Sequence, residues 1–271
     1  MMLDFTGKSV LVTGGGAGIG RACAEAFAKQ GAQVFIAEVD PERCASFTEG
    51  KAIQCDVTQP QQVEALARSI SEDTDGKLDI LVNNVGHFLH AKPFSKLTLN
   101  EMQEIVGLNL ISLMNVTSNL LPLIKAAAPG SSIINITSIE AYRGIPNCSV
   151  YAAAKWGITG FTKSLALELA PLGIRVNDIA PETTDTPQTP VSYMVPAENQ
   201  AHVKQWVPLG RFGKPDDCAG AALYLASPLA SWVTGTSINV DGGSLAAAGW
   251  IRDVNGTWTN MPIVTGNGLN L

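Results

Sequence analysis

Basic residues are scarce in this chain. Eighteen Lys and Arg face 24 Asp and Glu, for a formal net charge of -6. That argues against nucleic acid or an anionic membrane as the main partner, because either needs a basic face. Charge of any sign is sparse at 15%, whereas hydrophobic residues reach 46%. Such a chain buries a large core and is not disordered. Cysteine is limited to Cys23, Cys44, Cys55, Cys148 and Cys218, an odd number without C-x-x-C spacing. These read as reduced thiols, mostly buried, in a cytoplasmic protein. His87 and His90 have no convergent Cys or carboxylate cluster in the sequence, so no metal is expected. The start, Met1 to Lys8, lacks a basic region and an apolar core of signal length, and no uninterrupted apolar run spans a bilayer. There is no internal repeat and no linker, so residues 1–271 are expected to form one domain.

What the chain has is alternation. Short apolar runs at 9–12, 33–37, 52–55, 78–82, 132–136, 175–179 and 237–240 read as strands. Between them lie helical stretches at about 18–30, 61–71, 99–126, 150–170 and 215–227. Repeated β-then-α units with continuous apolar strands predict an α/β fold, a doubly wound parallel sheet of Rossmann type with helices on both faces. Two segments fall outside this pattern. The Pro-rich stretch at about 182–210 reads as a substrate loop, with Tyr193, Met194 and Trp206 as candidates either for an apolar lid over the substrate or for packing of the loop on its own body. The tail, 245–271, carries Trp250 and Trp258, which predict docking against its own subunit or a neighbour.

Gly14, Gly18 and Gly20, with Ile19 among them, lie between the first strand and the first helix. Glycine there permits positive φ and a close approach of backbone N–H groups to a phosphate. The following helix aims its positive end at the same anion. Glu38 ends the second strand, about twenty residues on, where a carboxylate accepts hydrogen bonds from ribose hydroxyls and repels a 2′-phosphate. NAD is therefore expected over NADP. Asp56 and Val57 follow the third strand, at a place suited to adenine. Asn83, Asn84 and Gly86 follow the fourth. All these loops lie at carboxyl ends of strands, where open parallel sheets bind ligands.

Tyr151 and Lys155 stand one helical turn apart on a shared face. A free phenol has a pKa of about 10. A nearby ammonium favours the phenolate, which can then take a proton from a substrate hydroxyl. Ser138, ending the fifth strand, can hydrogen-bond the same oxygen.

Thr13-Gly14-x-x-x-Gly18-x-Gly20, Asn83-Asn84-x-Gly86, Asn109, Ser138, Tyr151-x-x-x-Lys155 and Asp241-Gly242-Gly243 together resemble the short-chain dehydrogenase/reductase family, over about Gly7 to Gly243. The resemblance implies a catalytic tetrad. Tyr151 is its acid/base, and Ser138 orients the substrate. Lys155 binds the nicotinamide ribose and lowers the tyrosine pKa, and Asn109 holds a water on the proton path. It also implies that Thr184 and Thr186 contact the nicotinamide amide, and that the protein is a homotetramer. One departure stands out: Pro181-Glu182 replaces the family's Pro-Gly, so Glu182 reshapes the pocket or adds a carboxylate to it.

The reading that follows is an NAD-dependent enzyme interconverting a secondary alcohol and its ketone. An apolar lid favours a hydrophobic or cyclic substrate of steroid or terpenoid type. A sugar, a cis-diol or a 3-oxoacyl thioester uses the same chemistry. From another class, a non-catalytic NAD(H)-binding sensor or scaffold is the rival. Glu140 and Arg143, near Ser138, are candidates to touch substrate, but ordinary surface charge is the better reading.

Overall fold

The computed structural model describes residues 3–253, 255–260 and 269–270. Seven strands form one parallel sheet in the order β3-β2-β1-β4-β5-β6-β7. They are β1 (Ser9–Thr13), β2 (Gln33–Glu38), β3 (Lys51–Gln54), β4 (Ile80–Asn83), β5 (Ser132–Ile136), β6 (Arg175–Pro181) and β7 (Ser237–Val240). β1, β4 and β5 are buried along their whole length, as apolar runs covered on both faces must be. The order reverses between β1 and β4, and a crevice opens there at the carboxyl ends of the strands.

The principal helices are α1 (Gly18–Lys29), α2 (Pro41–Ala45), α3 (Pro60–Asp73), α4 (Leu99–Val106), α5 (Ser112–Ala127) and α6 (Ser149–Leu169). Short helices α7 (Val191–Met194) and α8 (Val203–Trp206) precede α9 (Pro215–Ala226). α1 and α9 cover one face, with Phe27, Ala222 and Leu225 packed on Val10, Val12 and Ile134. α3, α5 and α6 cover the other, where Leu66, Leu120, Ile124 and Leu165 meet Leu11, Leu81 and Ile133.

The long helix expected at 99–126 begins as the sequence suggests. Thr98 and Glu101 form a reciprocal capping box at its N-terminus. It is not one regular helix, however. A π-helical turn, Gly107–Ile111, separates α4 from α5 and contains Asn109. Pro122 lies inside α5 without ending it. Leu99–Ala127 is long and apolar enough to cross a bilayer by length and composition. Val116, Leu120 and Ile124 on it are nevertheless buried against the sheet, as in a core helix of a globular domain.

The segment read as an irregular loop, 182–210, carries α7, a 3-10 stretch at Ala197–His202, and α8. Of its expected lid residues only Met194 lines the central cleft. Tyr193 is 88% exposed, and Trp206 faces a second cavity on the far side of Arg143. Residues 244–251 of the tail close that cavity against Tyr142, Arg143 and Trp206. Trp258 stacks under the Arg252 guanidinium, 5.0 Å from its ring centroid. Tail residues 254, 261–268 and 271 lie outside the described residues.

Candidate active site

A cleft of about 630 Å³ runs along the carboxyl ends of the strands, from Glu38, Asp56 and Val57 through Gly14, Gly18 and Ile19 to Ser138, Tyr151 and Lys155. The glycine turn is shaped by its backbone. Gly14 and Gly18 have φ of +61° and +55°, which side chains resist. α1 begins beside it at Gly18, its N-cap Ala17 offering no side-chain cap and its first turn no acidic residue. Its first N–H groups thus face the cleft with no side chain to satisfy them, the arrangement that suits a pyrophosphate. Gly20 has another task. It does not line the cleft; a Cβ on it would overlap the Gly14 carbonyl and sit 2.5 Å from Asn84 Nδ2. It lets helix and turn touch.

At the end of the cleft away from Tyr151, Glu38 is only 4% exposed. Its carboxylate accepts from Gly16 N at 3.0 Å, Val39 N at 3.0 Å and Asp40 N at 3.1 Å. A carboxylate offers about four lone-pair sites, so one is left for a ribose hydroxyl. Arg43 lines the same end, its Nε 3.4 Å from Asp40 Oδ2. Asp56 Oδ1 accepts from the Thr58 backbone and hydroxyl at 2.9 and 2.7 Å. These residues fit a dinucleotide: a cradle for the phosphates, an anionic acceptor at the ribose and a polar pocket beyond it.

Asn83 and Asn84 part company. Successive strand residues point to opposite sides, and only Asn84 reaches the cleft. Its Nδ2 donates to the Thr13 and Gly14 carbonyls at 3.1 and 3.2 Å, tying β4 to the glycine turn. Asn83 turns inward and donates to Thr117 Oγ1 and Asn135 Oδ1, each at 2.9 Å. It is a strut of the sheet and not a wall of the cleft, contrary to its placement among the cofactor contacts. Asn135 in turn donates to Thr162 on α6. Thr184 and Thr186 line the cleft opposite Gly18; the Thr184 hydroxyl donates to the Glu182 carbonyl.

α6 carries Tyr151 and Lys155 to the cleft, and Thr137 fastens it to β5 by donating to the Lys155 carbonyl at 2.7 Å. Phe88 packs on the Tyr151 ring with centroids 4.5 Å apart. Burial pushes the Tyr151 phenol above its ordinary range, while a hydrogen bond with the Ser138 hydroxyl pulls it back down. Burial also lowers Lys155 to about 8, leaving it mostly charged at neutral pH. Its Nζ donates to the Ile136 carbonyl at 3.0 Å and lies 5.6 Å from the Tyr151 ring centroid.

Asn109 is fully buried behind this group and does not itself line the cleft. Its Nδ2 donates to the His87 and Ile105 carbonyls at 2.9 and 2.8 Å, and its Oδ1 accepts from His87 N at 3.0 Å. Gly86 fits between: a Cβ there would meet Lys155 Nζ at 2.7 Å and Asn109 Oδ1 at 2.9 Å. The structure therefore gathers Ser138, Tyr151, Lys155 and, one layer behind, Asn109.

Glu140 and Arg143, read from sequence as ordinary surface charge, join Glu182 in one ionic cluster. Arg143 Nη2 lies 2.8 Å from Glu140 Oε1 and 2.7 Å from Glu182 Oε2. The side chains of Glu140 and Glu182 are 13% and 5% exposed. Both carboxylates belong to residues that line the cleft beside Ser138. Glu182 sits 42 positions from Glu140 in the sequence, so no local pattern joins them.

Comparison with known proteins gives relatives along most of the chain. The family described as enoyl-(acyl carrier protein) reductase matches residues 14–244. A galactitol 2-dehydrogenase of Agrobacterium fabrum is 36% identical over 258 residues, covering 89% of this chain and 99% of that protein. A 3-oxoacyl-(acyl-carrier-protein) reductase of Aquifex aeolicus is 36% identical over 252 residues, covering 90% and 99%. The structure of Thermoplasma acidophilum aldohexose dehydrogenase in ligand-free form matches with a TM-score of 0.80 at 33% identity, over 90% of this chain and 95% of that one.

Proposed function

The chain belongs to the short-chain dehydrogenase/reductase family, and on that premise we propose that it is an NAD-dependent oxidoreductase interconverting a secondary alcohol and its ketone. The observation that carries this reading is the convergence of Ser138, Tyr151 and Lys155 on one wall of a cleft whose other end is the open N-terminus of α1. The relatives named above act on sugar-type or 3-oxoacyl substrates, which supports a hydroxyl/carbonyl couple.

Gly14, Gly18 and Ile19 would hold the pyrophosphate, Glu38 the adenosine ribose, Asp56 and Val57 the adenine end, and Lys155, Thr184 and Thr186 the nicotinamide end. Nicotinamide supplies the hydride acceptor or donor when bound. Tyr151 takes the hydroxyl proton during oxidation and returns it during reduction. Its phenolate is disfavoured by burial, and the Lys155 ammonium supplies the opposing charge. Ser138 donates to the substrate oxygen as charge develops there. Asn109 holds the Phe88-bearing loop through His87 and so fixes the aromatic wall against Tyr151; a water on the proton path beside it is part of the same proposal.

Glu38 supports NAD, since its carboxylate would repel a 2′-phosphate. We further place the enzyme in the cytosol as a homotetramer. Exposed Ile111, Trp156 and Leu167 on the π-helical turn and α6 support an interface between copies. Titration with NADH, followed by a panel of secondary alcohols with NAD and NADP, tests the reading. Turnover with higher kcat/KM for NAD is expected. Cofactor binding without oxidation of any alcohol would favour a sensor or scaffold. Preference for NADP would mean that Arg43 overrides Glu38.

A further inference from the structure

The cleft wall next to Ser138 is built from charge. Ser138 Oγ accepts from Glu140 N at 3.1 Å, so a short 3-10 turn presents Ser138 and Glu140 side by side. Arg143 grips Glu140: Nε donates to both carboxylate oxygens at 3.3 Å and Nη2 to Oε1 at 2.8 Å. Glu182 flanks the guanidinium from β6. Its Oε1 accepts from the Thr183 hydroxyl at 2.9 Å. Its Oε2 has the Arg143 charge beside it but accepts no aligned hydrogen bond, although it is buried.

Two carboxylates thus share one guanidinium, in a protected site with more acceptor positions than donors. The surplus has a chemical meaning. A ligand bringing hydroxyl donors completes the wall. An apolar alcohol desolvates acceptors it cannot satisfy, which is costly. An anionic ligand meets a net negative group. Phe88, Ile145 and Met194 add apolar surface to the same cleft, and Phe88 and Ile145 pack around Tyr151, which suits the carbon face of a sugar or cyclic polyol.

Resting on the oxidoreductase reading above, we infer that the Glu140–Arg143–Glu182 triad selects a neutral polyhydroxylated substrate, a sugar or polyol. Glu140 accepts a hydrogen bond from a hydroxyl adjacent to the reacting carbon. Arg143 and Glu182 are positioning residues that hold its carboxylate at the wall. Glu182, standing where the family has glycine, makes the triad possible in this chain.

The test compares kcat/KM with NAD for galactitol, myo-inositol and cyclohexanol, and in the reverse direction with acetoacetyl-coenzyme A. Wild type, Glu140→Gln and Glu182→Gly are measured. The quantity read is the ratio of polyol to cyclohexanol kcat/KM, which does not depend on the fraction of correctly folded enzyme. Wild type is expected to favour a polyol by about a hundredfold or more. Glu140→Gln should reduce that ratio at least about tenfold, chiefly through KM for the polyol. Glu182→Gly should reduce it in the same direction. A wild-type preference for cyclohexanol or the thioester, or a ratio unmoved by Glu140→Gln, overturns the inference while leaving the oxidoreductase reading intact. Failure of every substrate with either nicotinamide cofactor overturns both.

Discussion

Gly86→Ala is a small change at a crowded point. Gly86 does not have a positive φ, so alanine brings no backbone strain. Its methyl group would stand 2.7 Å from Lys155 Nζ, 3.4 Å from Lys155 Cε and 2.9 Å from Asn109 Oδ1. Asn109 is pinned by three hydrogen bonds to backbone. The ammonium is the far end of a flexible chain, so it is the group that yields. To reach ordinary contact it must retreat by roughly 0.7 Å or more. That stretches its 3.0 Å bond to the Ile136 carbonyl and moves its charge relative to Tyr151. Losing one buried charge-assisted hydrogen bond is worth about 1.5–3 kcal/mol, or roughly 10- to 150-fold in kcat/KM. Stability should fall by no more than that bond contributes, offset by about 0.4–1 kcal/mol from the stiffer unfolded chain, a Tm drop of at most about 10 °C for a domain of this size. Steady-state kinetics and a thermal melt on the same preparation decide the matter. Activity within threefold of wild type would refute the placement of Lys155. A large fall in Tm would show that the glycine serves packing instead.

Gly20→Ala should behave differently, because its Cβ meets backbone. Cofactor affinity and stability are expected to fall together, the latter by roughly 1–3 kcal/mol, as read by NADH titration and denaturant melts; unchanged affinity would contradict the close contact of helix and turn. Asp178 gives a pH signature. Burial raises its pKa from 3.8 to about 6, against the opposing pull of the Ser237, Thr159 and Thr162 hydroxyls and the Lys163 charge. An acid whose pKa is raised on folding favours the folded state below its unfolded pKa, and that contribution is lost as pH climbs from about 4 through 6. Asp178→Asn should therefore stabilise the protein at pH 7.5 by up to roughly 3 kcal/mol and do much less at pH 4.5. Equal gains in the urea midpoint at both pH values would contradict this.

The sheet and its flanking helices were legible because apolar runs and helical spacing repeat along the chain. Boundaries moved where side chains intervene. β4 starts at Ile80 and not at Leu78 because the Asp79 carboxylate is engaged with Ser9 and Lys8. The π-helical turn at Gly107–Ile111 inserts too little to disturb the hydrophobic period, so it left no trace in the sequence. Ser138, Tyr151 and Lys155 were legible as chemistry, and the fold brings them to one wall. Asn83 was misplaced because strand parity, set by the exact end of β4, decides whether it or Asn84 faces the cleft. Glu182 was legible as a carboxylate for the pocket, but its ion pair was not: it reaches Arg143 only once β5 and β6 lie side by side. Of the lid candidates only Met194 reaches the cleft, since the short helices leave Tyr193 exposed and seat Trp206 at the second cavity.

Tyr151→Phe tests the chemistry most directly. The phenylalanine ring keeps the contact with Phe88 and removes only the oxygen. NADH should still bind within a few-fold of the wild-type affinity, while alcohol oxidation falls by about a thousandfold or more. Turnover within tenfold of wild type, with cofactor bound, would show that the proton passes through some other group and that the cleft works by a different mechanism.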